Sequence, residues 1–238
     1  MESTSRIVQA LGPLDEEVKL RCTVDCVIFG YDQEDLKVLT IECNMEPFRG
    51  MPSLLGDFVA QDEDADSAAK RILKYCTGND EIYLEEVKCF SKPDRHPFGR
   101  VITIAYYSLV SIPQTILTDA AGKHLNWRSV DEITCMAFDH KEILDTCLKQ
   151  LRHSLREKPI GFNLLPKKFS LKQLQTLYEV VLDIELDKRN FRRKLRSLNI
   201  LIDLEEQQRE VNHRPAKLYK FDDKSFEKKR SNGLKFEI

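Results

Sequence analysis

The chain of 238 residues has no apolar run that approaches the roughly 18 residues needed to span a bilayer. Its first twenty residues also lack a basic start followed by an apolar stretch, which is the pattern of a secretory signal. Nine glycines and nine prolines are too few for a collagen-like or low-complexity chain. We therefore expect a folded, cytoplasmic protein with no membrane partner.

The seven cysteines form no Cys-x-x-Cys pair, and their odd number argues against a framework of disulfide bonds. They stand at positions 22, 26, 43, 76, 89, 135 and 147, and most of them lie inside apolar segments. The sequence therefore predicts reduced thiols, no metal site and no cofactor.

What the chain does contain is 42% hydrophobic and 32% charged residues, enough to bury two modest cores. The charge is divided unevenly. Residues 1–158 hold 19 basic and 27 acidic side chains, a net charge of −8, whereas residues 159–238 hold 18 and 12, a net charge of +6. A basic module behind an acidic body favours binding of a polyanion by the C-terminal part, because cationic surfaces attract phosphate backbones. The alternative is a solvated charged surface without a partner.

Strand and helix patterns in the first 156 residues do not alternate regularly, which favours an α+β sandwich over a doubly wound sheet. Alternating or β-branched runs predict strands over residues 22–29, 36–41, 82–91 and 101–110. Helical spacing predicts one helix that begins at Asp66 or Ser67 and ends at Gly78, and a second over residues 139–156.

A boundary is predicted at residues 157–169, where Pro159, Gly161 and Pro166 interrupt the chain. Ser170 and Gln173 then have the spacing of a capping box at the start of a helix. A second helix is predicted to begin at Asp187, with apolar residues at i, i+4 and i+7 facing inward and arginines facing outward. Short strands over 200–204 and 216–221 complete the pattern of a winged helix-turn-helix, in which the second helix enters the DNA major groove.

This pattern identifies candidate DNA-binding residues. Arginine pairs well with guanine edges and asparagine with adenine, and lysines hold phosphates. The candidates on or near the second helix, at the start of the first helix and on the wing are Lys172, Lys188, Arg189, Asn190, Arg192, Arg193, Arg196, Arg214 and Lys217. An arginine-rich helix that serves only as soluble surface is the alternative.

In the first part, GDFVAQDEDADSAAKRILKYCTG (residues 56–78) resembles the Nudix box, the loop and helix that hold Mg²⁺ for pyrophosphate hydrolysis. Glu63, Arg71 and Gly78 match the family pattern. Ile72, Tyr75 and Cys76 occupy its three helical carboxylate positions, and these side chains cannot replace carboxylate oxygens around a hard cation. We therefore expect no Nudix hydrolysis and no catalytic residues, and we expect Glu63 and Arg71 to form an ion pair that braces the loop.

The whole chain resembles the Nudix-related transcriptional regulators, which join a Nudix-like sensor to a C-terminal winged helix. The resemblance rests on VDCVIFGY (24–31), PDRHPFGRVITIAYYSLV (93–110), IGFNLLPKKFSLKQLQTLYEVVL (160–182), DKRNFRRKL (187–195) and RPAKLYKF (214–221). It is especially close to the branch that regulates sugar use, which includes the arabinose-responsive regulator. Other branches sense ADP-ribose-type metabolites. The resemblance therefore implies a small-molecule effector, with a sugar as the first expectation.

The loop 43–49 and the segment 92–100 flank the pocket expected from this resemblance. The polar groups that they offer to an effector are Asn44, Glu46, Arg49, Asp94, Arg95 and Arg100. Phe48 and Trp127 are candidate stacking faces. Alternatively, Asp94 and Arg100 pair across a turn and Trp127 belongs to the core.

Taken together, the sequence predicts a Nudix-like effector-sensing domain (1–156), a linker (157–169) and a winged helix-turn-helix DNA-binding domain (170–238). We expect a homodimer on a palindromic operator, because one winged helix offers a small footprint. A ligand in the sensor would change operator affinity, with segment 139–156 and the linker as the moving connection. The alternatives are a divergent Nudix hydrolase of nucleoside diphosphate derivatives and a DNA-binding protein without an effector.

Overall fold

The computed structural model describes residues 20–79, 81–112, 117, 125–208, 215–232, 234 and 236. Its strands in the N-terminal part are β1 (Arg21–Tyr31), β2 (Leu36–Glu42), β3 (Pro52–Ser53), β4 (Leu55–Phe58), β5 (Tyr83–Phe90), β6 (Val101–Ser111) and β7 (Asn126–Ser129). The helices there are α1 (Ala65–Thr77) and α2 (His140–Glu157). The C-terminal part contains β8 (Phe169–Ser170), α3 (Leu171–Leu182), α4 (Lys188–Leu198), β9 (Leu201–Gln207), β10 (Lys217–Phe221) and α5 (Asp223–Ser231).

Among the described residues, seven strands form a mixed sheet with the central order β3-β2-β1-β6-β5. The long strands β1 and β6 pair in parallel over their full length, and β2 and β5 join them in antiparallel orientation. Successive side chains of β1 point to opposite faces, so Val24, Cys26 and Ile28 pack towards α1 whereas Val27 and Phe29 pack towards α2. The sheet therefore lies between two apolar layers, and the predicted mixed-sheet sandwich is confirmed.

Helix α1 begins two residues before the predicted start. Its N-cap is Asp64, whose Oδ1 accepts the Ser67 N–H at 2.8 Å. Asp66 lies inside the first turn and accepts a hydrogen bond from the Tyr106 hydroxyl at 2.6 Å, so it is not the cap. The predicted end is confirmed, because Gly78 takes a left-handed conformation at the C-cap.

The C-terminal part has the predicted winged helix architecture. Ser170 and Gln173 form the predicted capping box at the start of α3, and Asp187 caps α4 by accepting the Asn190 N–H. Phe191 and Leu195 of α4 are buried against α3, and the antiparallel sheet β8-β10-β9 forms the wing. Helix α5 follows the wing within a segment for which the sequence patterns predicted no element.

The segment predicted as a linker packs closely onto both parts. It contains a short 3₁₀ helix, Pro159–Leu164, and Ile160 and Leu164 belong to an apolar core that extends from the sheet into the winged helix. A Cβ on Gly161 would lie 2.8 Å from Leu155 Cδ1, so this position has no room for a larger side chain. The domain limits at 156 and 170 stay a prediction, since this core crosses them.

Within the described residues, no helix is both long and apolar enough to cross a membrane.

Replacing Ser170 by alanine removes the hydroxyl that satisfies an otherwise unpaired N–H at the start of α3. We expect the free energy of unfolding to fall by about 1 kcal/mol, measured by urea denaturation. Thr146→Ala is the matched control, because its hydroxyl donates to the Glu142 carbonyl inside α2 and caps no helix end. Equal losses in both variants would contradict the capping role.

Candidate functional site

A cleft of about 860 Å³ opens at the end of the sheet where β1 and β6 begin. It is enclosed by the loops 43–50 and 95–98 and by the start of α2. Its polar and charged lining residues are Arg21, Thr23, Asp25, Glu42, Asn44, Arg49, Ser53, Asp57, Arg95, His96 and His140. The cleft therefore lies where the sequence predicted an effector pocket.

A buried ionic network forms the floor of this cleft. The Arg95 side chain is only 4% exposed, and its guanidinium donates to both carboxylate oxygens of Asp139 at 2.8 Å. It also lies 3.4 Å from Asp25 Oδ2 on β1. Because a buried charge is tolerated only when it is paired, this arrangement holds Arg95 in one position. Asp139 directly precedes α2, so the network joins the sheet to the start of that helix.

His140 lies beside this network and is held as a neutral ring. Its Nδ1 accepts the Leu54 N–H at 3.0 Å and the Ser53 hydroxyl at 3.1 Å, which leaves the proton on Nε2, 3.5 Å from Asp25 Oδ1. Burial lowers the pKa of His140, and Arg95 acts in the same direction, whereas Asp25 and Asp139 oppose the shift.

Aromatic rings form part of the cleft lining. His96 and Phe138 are stacked with centroids 5.0 Å apart, and Phe98 meets His96 edge to face at 5.7 Å. Phe98 is 57% exposed and Phe58 is 50% exposed, with the Arg21 guanidinium over the Phe58 ring. Burial is the main cause that lowers the pKa of His96, and Arg95 adds to it. The cleft thus offers flat apolar faces beside guanidinium groups.

The structure brings three of the six predicted effector residues to the cleft, namely Asn44, Arg49 and Arg95. The other three, Glu46, Asp94 and Arg100, are not among its lining residues. Glu46 instead pairs with Arg49 at 3.0 Å, and Arg100 donates to the Ser91 carbonyl at 2.7 Å. No described ion pair joins Arg100 to Asp94, so the predicted alternative brace is also absent from the described contacts.

The two predicted stacking faces do not line the cleft. Phe48 packs against Phe138 with ring centroids 4.7 Å apart. Trp127 lies on β7 and packs onto β1, where a Cβ on Gly30 would lie 2.6 Å from its ring. This supports the core alternative for Trp127. The residues that sequence patterns missed are Arg21, Asp25, His96, Phe98, Phe138 and His140. One sequence feature could have indicated some of these residues, namely the run of aromatic and basic side chains in segment 95–100.

The loop before α1 is held by Arg71. Its guanidinium donates to Glu63 Oε1 at 2.7 Å, to Asp57 Oδ2 at 2.8 Å and to the Phe58 carbonyl at 3.1 Å. The predicted Glu63–Arg71 ion pair is therefore present. Hydrogen bonds from Arg71 and from the Ala60 N–H lower the pKa of Glu63, and the two carboxylates raise the pKa of Arg71. In the described part of the chain, no group of three or more histidine, cysteine, aspartate or glutamate residues could hold a metal ion.

Helix α4 presents the predicted basic surface. Lys188, Arg189, Arg193 and Arg196 are exposed along it, and Arg193 donates to Asn190 Oδ1 at 2.8 Å. Arg192 is half-buried. Lys172 is exposed at the start of α3, whereas Lys217 on the wing is paired with Asp203 at 3.0 Å. Arg214 lies outside the described residues. Six of the nine predicted DNA-binding residues thus share helix α4.

Comparisons with known proteins identify a winged helix in the C-terminal part. Residues 161–221 match the family model "NrtR DNA-binding winged helix domain". The chain is 31% identical over 203 residues to the "ADPR responsive transcriptional repressor NtrR" of Acinetobacter baylyi, which covers 84% of this chain and 81% of that protein. The chain belongs to the NrtR family.

Two further matches cover most of this NrtR-family protein and about half of it, respectively. The crystal structure of Shewanella oneidensis NrtR complexed with a 27mer DNA superposes with a TM-score of 0.77 at 27% identity, covering 87% of this chain and 95% of that one. An ADP-ribose pyrophosphatase of Methanocaldococcus jannaschii is 31% identical over 115 residues, 48% of this chain and 68% of that protein. The predicted likeness to the sugar-use branch finds no support in these matches, and the NrtR family replaces it.

The lowered pKa of His140 predicts a dependence of stability on pH. Below the ordinary histidine pKa of 6.5, the unfolded chain binds a proton that the folded chain does not, so stability falls as the pH drops and is unaffected by this group above 6.5. In His140→Asn, the amide oxygen can accept the Leu54 N–H in place of Nδ1. Between about pH 7 and pH 5.5, the free energy of unfolding should fall by about 1 kcal/mol less in this variant than in the unaltered chain, measured by urea unfolding.

The control is His153→Asn, which changes an exposed histidine on α2. A change that both variants share comes from the loss of a histidine in general and not from the place of His140 beside the cleft. If stability depends on pH in the same way in His140→Asn and in the unaltered chain, His140 takes up its proton equally in the folded and the unfolded chain.

Proposed function

We propose that this protein is a transcriptional regulator that binds operator DNA through its winged helix and binds an ADP-ribose-type nucleotide in the cleft, and that the nucleotide changes operator affinity. The observation that carries the proposal is the combination, in one chain, of a cleft with aromatic and guanidinium groups and a basic helix α4. The name of the Acinetobacter relative supports ADP-ribose as the effector.

The chemistry of the cleft favours a dinucleotide-like ligand over a free sugar. A volume of about 860 Å³ lies near the upper end of the usual range for small-molecule sites, about 300–1,000 Å³. The stack of His96, Phe138 and Phe98 offers a face for an adenine ring. Arg21 and Arg49 line the same cleft and supply positive charge for a pyrophosphate. A monosaccharide carries no phosphate, so it offers no negative charge to these guanidinium groups.

Helix α4 is the proposed DNA-reading helix. Its buried face, including Phe191 and Leu195, fixes it to the core, so the exposed arginines are held on a rigid element. We propose that a homodimer reads two half-sites, because one such helix contacts few base pairs and a two-fold axis doubles the interface.

Helix α2 is the proposed connection between the two sites. At about 1.5 Å per residue its 18 residues span about 27 Å. Its start carries His140 at the cleft, beside Asp139 in the Arg95 network, and Arg152 near its other end donates to the Val181 carbonyl of α3 at 2.8 Å. A ligand acts only through unequal affinity for two arrangements, and contacts to Arg95 or His140 would bias the position of α2.

We further propose that the cleft binds its ligand without hydrolysing it. A Nudix reaction needs carboxylates that hold Mg²⁺ at the helix of the box, and the aligned positions here carry Ile72, Tyr75 and Cys76. Ile72 and Cys76 are buried, and the nearby carboxylates of Asp57 and Glu63 are engaged by Arg71. These residues do not fit a magnesium ion. Divergent hydrolysis is the second candidate, because 115 residues of the chain are 31% identical to an ADP-ribose pyrophosphatase.

ADP-ribose should raise the unfolding temperature of the protein, because ligand at about 100 times its Kd stabilises the folded chain by about 2.7 kcal/mol. Arabinose at the same concentration should cause no shift. Phe98→Ala should weaken ADP-ribose binding about tenfold or more through lost stacking, measured by calorimetry. Ile184→Ala, which removes a partly exposed apolar side chain between α3 and α4, is the control and should bind normally.

Chromatography of the same mixtures, with Mg²⁺ or Mn²⁺ added, separates binding from turnover. We expect intact ADP-ribose after prolonged incubation. Release of AMP above a Glu63→Gln control would establish the hydrolase instead, and a shift with arabinose alone would restore the sugar as effector.

Arg192→Ala combined with Arg193→Ala should weaken binding to a duplex selected by the unaltered chain from a random pool. Each lost phosphate contact lowers the slope of log Kd against log salt by about 0.9, so a flatter slope is expected with the weaker affinity. The matched control is Lys149→Ala combined with Arg156→Ala, two exposed basic residues of α2. An unchanged slope and affinity in the α4 variant would place the DNA contact elsewhere, and two protein chains per bound duplex would support the dimer.

A further inference from the structure

Helix α5 fastens the end of helix α4. The Lys229 ammonium donates to the Leu198 carbonyl at 3.1 Å and to the Asn199 carbonyl at 2.5 Å. Leu198 is the last residue of α4, and Asn199 is its C-cap in the left-handed conformation, with φ of 48°. The Lys229 side chain of α5 thus caps the C-terminus of α4, the proposed DNA-reading helix.

The carbonyls that Lys229 binds are the groups a helix leaves without partners. The last four C=O groups of an α-helix accept no intrahelical hydrogen bond, and the helix dipole concentrates negative potential there. A cation at this place both satisfies the oxygens and is attracted by the dipole. The Lys229 ammonium therefore stabilises the last turn of α4, which carries Arg196.

Helix α5 is itself fixed, so it can hold Lys229 in place. Phe226 is 6% exposed and packs against Phe221 and Phe236, with ring centroids 5.8 and 6.2 Å away. The Asp222 N–H, at the start of α5, donates to the Ile200 carbonyl at 2.9 Å. Hydrogen bonds from both ends of α5 thereby reach residues 198–200, where α4 ends.

We infer that Lys229 is a positioning residue for DNA binding: it orients the last turn of α4 and does not itself contact DNA. The ammonium is occupied by two carbonyls, which separates Lys229 from the basic residues proposed to reach phosphates. Helix α5 begins after residue 221, where the match to the family's winged helix ends. The inference rests on the proposed binding of DNA by α4.

Two measurements on Lys229→Met separate positioning from direct contact. Affinity for the selected duplex should fall about fivefold, the equivalent of losing one helix-terminal cation, with the salt slope unchanged because no phosphate contact is lost. Amide hydrogen exchange in residues 196–200 should become faster in the free protein. Lys229→Arg, which keeps the donors, should restore both properties. Lys228→Met, at the exposed neighbouring position of α5, is the control and should leave the exchange unchanged.

The outcomes distinguish the inference from the function on which it rests. A salt slope lowered by about 0.9 in Lys229→Met would make Lys229 a phosphate contact and overturn the positioning role. Unchanged affinity and unchanged exchange would overturn it as well. If the unaltered chain selects no duplex, the proposed function fails, and the exchange measurement still decides whether Lys229 holds α4. If Lys229→Met does not fold, Lys229→Ala, which also lacks a donor, takes its place in both measurements with the same criteria.

Discussion

The two parts of this molecule share one apolar core, and most of its other features depend on that sharing. Buried residues of the sheet, of α2, of the segment 159–165 and of α3 and α4 belong to a single cluster. Apolar side chains removed from water by both parts cannot be separated without exposing them again, at about 25 cal/mol for each Å². The winged helix therefore packs against the N-terminal part. Burial holds the two parts together, and hydrogen bonds such as that from Arg152 to the Val181 carbonyl help to fix their orientation.

Much of the fold could be predicted because local patterns determine it. The capping box at Ser170, the cap at Asp187 and the spacing of Phe191, Leu195 and Leu198 each need only a few neighbouring residues to be recognised. The strands β3, β4, β7 and β8 have two to four residues, too short for a periodic pattern, and they exist because longer strands offer them partners. The start of α1 was misplaced because several residues there can cap a helix. Asp64 takes that role, and the predicted cap Asp66 instead accepts a hydrogen bond from the distant Tyr106.

The cleft was less predictable, because its floor joins residues that are distant in the sequence. Arg95 and Asp139 are 44 positions apart, and Arg95 and Asp25 are 70 positions apart. No spacing rule connects such residues, and a buried ion pair cannot be distinguished from surface charge in a single sequence. Arg95 was therefore predicted as a ligand contact without its two partners, and His140 was seen only as part of a helix. Six of the nine predicted DNA-binding residues lie on one helix, α4, so periodicity alone grouped those six.

The ion pairs of Arg71 with Asp57 and Glu63 balance negative charge in the loop before α1. In a site that binds a metal ion, the metal neutralises the negative loop, and a low metal supply or a chelator removes that charge. Here the counter-charge is covalently part of the chain, and a guanidinium stays protonated across the whole biological pH range. The loop thus carries an internal cation that is part of the chain and that balances part of the loop's negative charge throughout the biological pH range.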